Sequence, residues 1–575
     1  MISFKEVTFG YPQKDLYNKI SFEINEGDQA VLIGSNGTGK STLLKLLMNE
    51  ELFTYEGVIK KDENIRIGLV SQFVGHEDSD VTAFDYLAEP FVELQRQNDA
   101  LCEEMGSAEN MDEVFGRYQK VLDEMDAVDA YNYPSNIGKQ LSIAGLSRIE
   151  NLPVNKISGG EYKMLSIIRN MLLKPQLLIM DEPDAFLDFK NIMGLTRLIN
   201  AYKGTILAIT HNRLMLSQCF NKILHLENEQ LQEFPGTFAE YNRAMLDTKI
   251  SMQENAAKFD DFIAIQEQVI KRIRGLAENT PDPSSGRQLR ARVSYLERLK
   301  IMRGENPFIE EHDYGFHFPE VGTAAKENAD SETGIISETD GVTGSEAVAG
   351  ADLSAAGDSA KADRKSCTDC PQEPVISVKN FSLVFDRPIL TDISFDIQAG
   401  EKVAIVGANG TGKSSLLEAV YEQMKADPDK EIGFFRQIYD NDEQEMLSGG
   451  ERNLRQLRAL CDTNVSILFL DEPTSHLDTY AQIALEEALA EYKGTVLMVS
   501  HDFYTVANCA DRILILENGG LREMSSRAYR KSIYKNYFNS ELLEQERKRR
   551  EIEVKVNALL KAGKHAEAKA VLEAI

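Results

Sequence analysis

Two octapeptides of one design carry the chemistry of this sequence: Gly34-Ser35-Asn36-Gly37-Thr38-Gly39-Lys40-Ser41 and Gly407-Ala408-Asn409-Gly410-Thr411-Gly412-Lys413-Ser414. Each fits GxxxxGK[ST], a glycine loop whose backbone amides cradle phosphate. The lysine reaches the β- and γ-oxygens of a nucleoside triphosphate, and the hydroxyl holds magnesium. Thr42 and Ser415 follow directly and are counted with the binding positions. Further along, the apolar runs LLIMD and ILFLD end on Asp181 and Asp471, where a second magnesium contact belongs. These residues together point to a nucleoside triphosphate with Mg2+ at two sites.

The elements that must position them are legible around each loop. VLIGSNGTGKSTLLKLL and VAIVGANGTGKSSLLEAV both read as a buried strand, a glycine turn and a helix. Lys413 follows Lys40 by 373 positions, and short β-like runs (ISFKEVTF and YNKISFEI, VISVKNFSLVFD and ILTDISFDI) precede each loop. The chain therefore reads as one α/β nucleotide-binding unit written twice.

Between loop and carboxylate strand each copy carries a second signal, ISGGEYKMLSIIRNML and LSGGERNLRQLRAL. With these stretches the sequence resembles the ATP-binding cassette family, which implies that the triphosphate is ATP. That resemblance implies that Ser158, Gly159 and Gly160, and likewise Ser448, Gly449 and Gly450, close over the phosphate bound by the opposite copy. It further implies adenine stacking on Tyr11 and Phe385, and Q-loop glutamines Gln72 and Gln437 as further magnesium ligands beside Ser41, Asp181, Ser414 and Asp471. Glu182 and Glu472 become general bases, His211 and His501 the switch histidines, and Leu187-Asp188 and Leu477-Asp478 the D-loops. A carboxylate that aligns water and a histidine on the γ-phosphate supply positioning and charge stabilisation, most of what phosphoryl transfer asks of a protein. The expected pairing sets Lys40, Asp181, Glu182 and His211 against 448–450, and Lys413, Asp471, Glu472 and His501 against 158–160.

The copies are unequal. Gln72 and Ser158 lie 86 positions apart, rich in helix formers, whereas Gln437 and Ser448 lie only 11 apart. The first copy thus has a helical lobe, with a possible arm over 93–129, and the second nearly lacks one. One D-loop reads DAFLD and the other TSHLD, so Phe186 stands where the second copy has His476.

Between the copies, Met252, Phe259, Phe262, Ile263, Val269, Ile270, Ile273 and Leu276 recur at helical spacing. A tip with Pro281, Pro283 and Gly286 breaks the helix, and Leu289, Val293, Leu296 and Leu299 resume the period. At about 1.5 Å per residue, a first helix of some thirty residues projects roughly 45 Å. From Lys271 to Arg303 nine basic residues, among them Arg272, Arg274, Arg287, Arg290 and Arg292, face only three acidic ones, on a chain of formal charge −29. A basic prominence on an acidic body steers polyanions to one place; a merely solvated helix pair has the same charge pattern.

Composition bounds the rest. A hydrophobic content of 42% over 575 residues suffices for ordinary cores in two or three domains. No run approaches the ~18 apolar residues of a membrane helix, and MISFKEV lacks a signal-peptide profile, so a cytoplasmic protein is expected. Six cysteines, Cys367 and Cys370 forming a single CxxC, fit reduced thiols rather than a disulfide framework or a zinc site. The expected domains are a first cassette over 1–244, a basic hairpin linker over 245–303, a low-complexity, disordered insert over 304–373, a second cassette over 374–540 and a charged helical extension over 541–575.

Two soluble cassettes joined by a basic helical hairpin look like subfamily F of the ATP-binding cassette proteins. This resemblance implies a ribosome-bound ATPase, a monomer pairing its own two cassettes. Its ATP-closed form would reach rRNA, P-site tRNA and the peptidyl-transferase centre through the hairpin, in the manner of a translation factor or an antibiotic-protection factor. The alternatives are the ATP-binding subunit of a membrane transporter and a DNA-associated cassette ATPase.

Overall fold

The computed structural model describes residues 1–12, 14–62, 65–71, 80–106, 110–279, 292–297, 314–318, 374–384, 388–427, 431–436, 449–463, 465–537, 548, 552, 554–560 and 562–573. Each half builds two layers from its sequence pattern. In the first, Ile2–Tyr11 pairs antiparallel with Lys14–Ile24 and Glu56–Lys61. Their buried face, including Phe4, Val7, Ile20 and Phe22, packs on Leu43, Leu46 and Leu47 of the helix Lys40–Met48. Ile376–Val384 and Pro388–Ile397 repeat this pairing in the second half.

The central sheets hold the chemistry. In order across the first sheet stand Ile67–Val70, Leu177–Asp181, Thr205–Ile209, Gln29–Ile33, Lys222–Glu227 and Gln230–Pro235, parallel except for the last pair. The second sheet has the same order: Ile432–Phe435, Ile467–Asp471, Thr495–Val499, Lys402–Gly407, Arg512–Glu517 and Gly520–Ser525. Both faces are covered, which is why Leu177–Met180 and Thr205–Ile209 are buried at every position rather than at alternate ones. The glycine loop, the carboxylate strand and the histidine strand therefore open at one edge, the carboxyl ends, where such sheets bind ligands. Register fixes the neighbours: Asp181 lies opposite Ile209, and Asp471 opposite Val499.

In the first half, Ala83–Met105 and Met111–Val128 form a helical pair, followed by Tyr133–Ala144. The span 437–448, where the second half is so short, lies outside the described residues, as does the linker tip.

The linker helix runs from Phe238 to Asn279, beginning ahead of the boundary drawn at 245. Thr237 starts it: its amide donates to Glu240 Oε2 (2.8 Å), and its hydroxyl accepts from the Glu240 amide (3.4 Å). Phe238 and Tyr241 are buried in the core of the first half, and the Tyr241 hydroxyl meets His225 Nδ1 at 2.7 Å, so the linker is rooted in that core. Its 42 residues span about 63 Å at 1.5 Å each. On the return, Arg292 donates to Gln266 Oε1 (2.7 Å). Val556, Leu560 and Leu572 of the C-terminal extension pack against Ile250 at its base.

The stretch 304–373 is corrected in one place. Tyr314 and Phe316 are buried in the core of the second half, stacked on one another, because two aromatics bring enough apolar area to order a short segment. The Tyr314 hydroxyl donates to Asp478 Oδ1 (2.9 Å) in a buried setting. Removing that hydroxyl alone, in Tyr314→Phe, is expected to cost about 1 kcal/mol and to lower the unfolding midpoint by about 2–4 °C, read by calorimetry.

Candidate active site

The glycine loops have the conformations their sequence requires. Gly34 has φ 153°, and a side chain there would meet the Leu226 carbonyl at 2.0 Å. Gly39, at φ 96°, admits the helix Lys40–Met48. Lys40 is buried and folds back, its Nζ donating to Gly34 O (3.0 Å) and Ser35 O (2.9 Å). Lys413 does the same with Gly407 O (3.1 Å) and Ala408 O (2.9 Å). Burial pulls both ammonium groups below the usual lysine range, against the attraction of nearby carboxylates. Thr42 and Ser415 sit half-buried in the first turns behind them.

Hydroxyl and carboxylate converge next to each lysine. Ser41 Oγ lies 3.4 Å from Asp181 Oδ1, and Ser414 Oγ 2.9 Å from Asp471 Oδ1. Burial pushes both aspartates up. Two oxygens of this kind beside a phosphate loop suit magnesium, a hard cation that takes oxygen ligands.

Glu182 and Glu472 follow in left-handed backbone, at φ 46° and 48°. Their amides donate to Ile209 O and Val499 O (2.9 Å each), which ties each to the histidine strand. His211 is buried, and among the described residues its Nε2 has no hydrogen-bond partner, as expected of a group shaped to meet an added oxygen. Burial and the adjacent lysines hold both imidazoles neutral, His211 pushed down to about 4 and His501 to about 3. The two glutamates differ. Burial pushes Glu472 up to about 8, whereas for Glu182 burial is outweighed by His476, His211 and Lys40, which hold it below the usual carboxylate range.

Each glycine loop is in contact with the other half. Asn36 donates from its amide to Asp478 Oδ2 (3.2 Å) and from Nδ2 to the His476 carbonyl (2.8 Å). Asn409 donates to Asp188 Oδ2 (3.3 Å) and the Phe186 carbonyl (2.9 Å) in the same way. A Cβ on Gly450 would fall 2.2 Å from Asn36 Nδ2 and 2.6 Å from the His476 carbonyl, and one on Gly160 would fall 3.3 Å from Asn409 Nδ2. Ser158 caps the helix Gly159–Leu172 in a capping box with Glu161. Arg213 braces the halves, donating to Asp502 Oδ2 (3.0 Å) and to Glu486.

Tyr11 stands half-exposed at the end of its strand, edge-on to Phe9 at 5.3 Å. Lys271, Arg272, Arg274 and Arg292 are exposed on the linker, away from these sites. Gln72, Phe385, Gln437, Ser448, Arg287 and Arg290 lie outside the described residues. Two participants escaped the sequence reading. Buried Lys163 donates to the carbonyls of Glu182 (2.9 Å) and Ala185 (3.2 Å), fixing the loop that carries the glutamate. Glu227 accepts from the amide and the hydroxyl of Ser35 (2.9 Å each). Their only trace was a charge within an otherwise apolar helix face or strand end.

A family model described as ABC transporter matches residues 17–185 and 390–434. The ATP-binding protein YdiF of Bacillus subtilis is 26% identical over 88% of this chain and 78% of its own length. Protein GCN20 of Saccharomyces cerevisiae is 25% identical over 88% of this chain and 68% of its own. ABC transporter F family member 5 of Arabidopsis thaliana is 24% identical over 91% and 76%.

If the halves close through the contacts of Gly450, Gly450→Ala should hold them apart. Small-angle scattering of the nucleotide-loaded protein is expected to show a larger radius of gyration, with Gly116→Ala, whose added carbon meets nothing within 4 Å, unchanged.

Proposed function

The chain belongs to the F-type ATP-binding cassette proteins, and from that premise we propose that it is an ATPase whose ATP-closed form binds the ribosome. The observation that carries the ATPase reading is that each glycine loop is roofed by a glycine-led helix and a D-loop aspartate of the other half. ATP then serves as the ligand that both halves share.

In this reading the loop amides with Lys40 and Lys413 bind the β- and γ-phosphates, and Tyr11 and Phe385 stack on adenine. Gly159-Gly160 and Gly449-Gly450, with Ser158 and Ser448, cover the γ-phosphate. Ser41, Asp181 and Gln72, and likewise Ser414, Asp471 and Gln437, would hold magnesium, which would supply neutralisation of phosphate charge. Glu182 and Glu472 orient the attacking water and accept its proton, and His211 and His501 present neutral imidazoles toward the γ-phosphate. Loss of that phosphate removes what the roof binds, and the halves part.

The linker is where opening and closing would be felt. One end is rooted through Tyr241 in the first half, and the segment after it is tied through Tyr314 to Asp478, the residue that also touches the opposite loop. Exposed Lys271, Arg272 and Arg274 supply positive charge on an acidic chain, which supports a folded-RNA target such as rRNA and P-site tRNA. Among the described residues no helix is long and apolar enough to cross a membrane.

The double variant Glu182→Gln, Glu472→Gln, which closes without turnover, should sediment with 70S ribosomes in ATP and not with membranes. Adding Lys271→Gln, Arg272→Gln and Arg274→Gln should weaken that binding by about tenfold or more and flatten its salt dependence. Sedimentation with membranes instead, or affinity for free DNA equal to that for ribosomes, would overturn the ribosome reading.

A further inference from the structure

The two D-loops meet each other at the centre of the molecule. Phe186 and His476 have matching left-handed backbones, φ 64° and 59°, and their carbonyls accept from Asn409 and Asn36 at 2.9 and 2.8 Å. Their rings touch edge-on, with centroids 5.8 Å apart and planes at 66°. The backbone arrangement is thus the same on both sides, and what differs is the side chain it presents.

That side chain reaches the opposite catalytic loop. His476 Nδ1 lies 3.6 Å from Glu182 Oε2, both largely sheltered from solvent. The imidazole offers a polar nitrogen to the carboxylate from across the interface; a phenyl ring at the matching place has none to offer. Glu472 is held differently, from within its own half. Its Oε2 accepts from the His501 amide (3.1 Å), while Oε1 makes no hydrogen bond among the described residues and faces His501 Nε2 at 3.5 Å.

We propose that His476 is a positioning residue for Glu182, supplied by the opposite half, and that Phe186 in its place leaves the second site slow. Glu182 would be aligned only when the halves are closed, so the first site hydrolyses in step with closure. Glu472 would rest against its own switch histidine, so the second site mainly retains its nucleotide. The inference rests on the reading of Glu182 and Glu472 as the general bases.

Phosphate release from the full-length protein tests it, with Glu472→Gln reporting the first site and Glu182→Gln the second. The first site is expected to turn over about tenfold or more faster than the second. His476→Phe in the Glu472→Gln background should lower kcat about tenfold with KM for ATP nearly unchanged, and His476→Asn, which restores a polar donor, should recover part of it. Phe186→His in the Glu182→Gln background should raise kcat, a gain that misfolding does not produce. Native-level kcat in His476→Phe, or a lowered kcat with no gain from Phe186→His, overturns the inference. Absence of phosphate release from the unsubstituted protein would instead remove the general-base reading on which it stands.

Discussion

Asp188 and Asp478 each do two things with one carboxylate. One oxygen caps the residue's own helix, accepting from the amide of Asn191 (2.9 Å) or Ala481 (2.8 Å), and the other accepts from the glycine loop of the opposite half. Both side chains are buried, where a carboxylate is tolerated only with such partners. Separating the halves therefore removes a partner from each aspartate and from each loop asparagine, while water takes the vacated places. A switch of this type is poised: the contacts are few, specific and replaceable, so that a shared ligand can decide which state prevails.

Around that symmetric kernel the two halves diverge. The loop carrying Glu182 is fixed by buried Lys163, whereas at the corresponding place Asn453 donates to the Ser475 carbonyl (2.8 Å). Asp478 also receives the Tyr314 hydroxyl, so the segment after the linker is tied to one D-loop. The two sites share one design, and the pairs Phe186/His476 and Lys163/Asn453, with Tyr314 on one side, give each its own neighbours. The linker helix is rooted in the first core and braced at its base by the C-terminal extension.

How much was legible depended on how local each signal is. The glycine loops and the strand ends at Asp181 and Asp471 were readable because a strand, a turn and a helix are encoded within twenty or so residues. The linker's start was misplaced because Phe238 and Tyr241 look like continued cassette sequence, and only their burial shows that the helix begins inside the core. Tyr314 and Phe316 were hidden at the margin of a polar stretch, since they are buried against core residues distant in the chain. Lys163 and Glu227 were missed for the same reason: a buried charge is explained by its partners, and those lie 19 and 192 positions away.

The account turns on ATP closing two halves that share both sites. Spin labels at Val58 and Ile483, each exposed and one on either half, would report it by electron–electron resonance in a Cys102→Ser, Cys367→Ser, Cys370→Ser, Glu182→Gln, Glu472→Gln background. A single narrow distance with ATP that broadens and lengthens with ADP is predicted, and a distance distribution indifferent to nucleotide would contradict it.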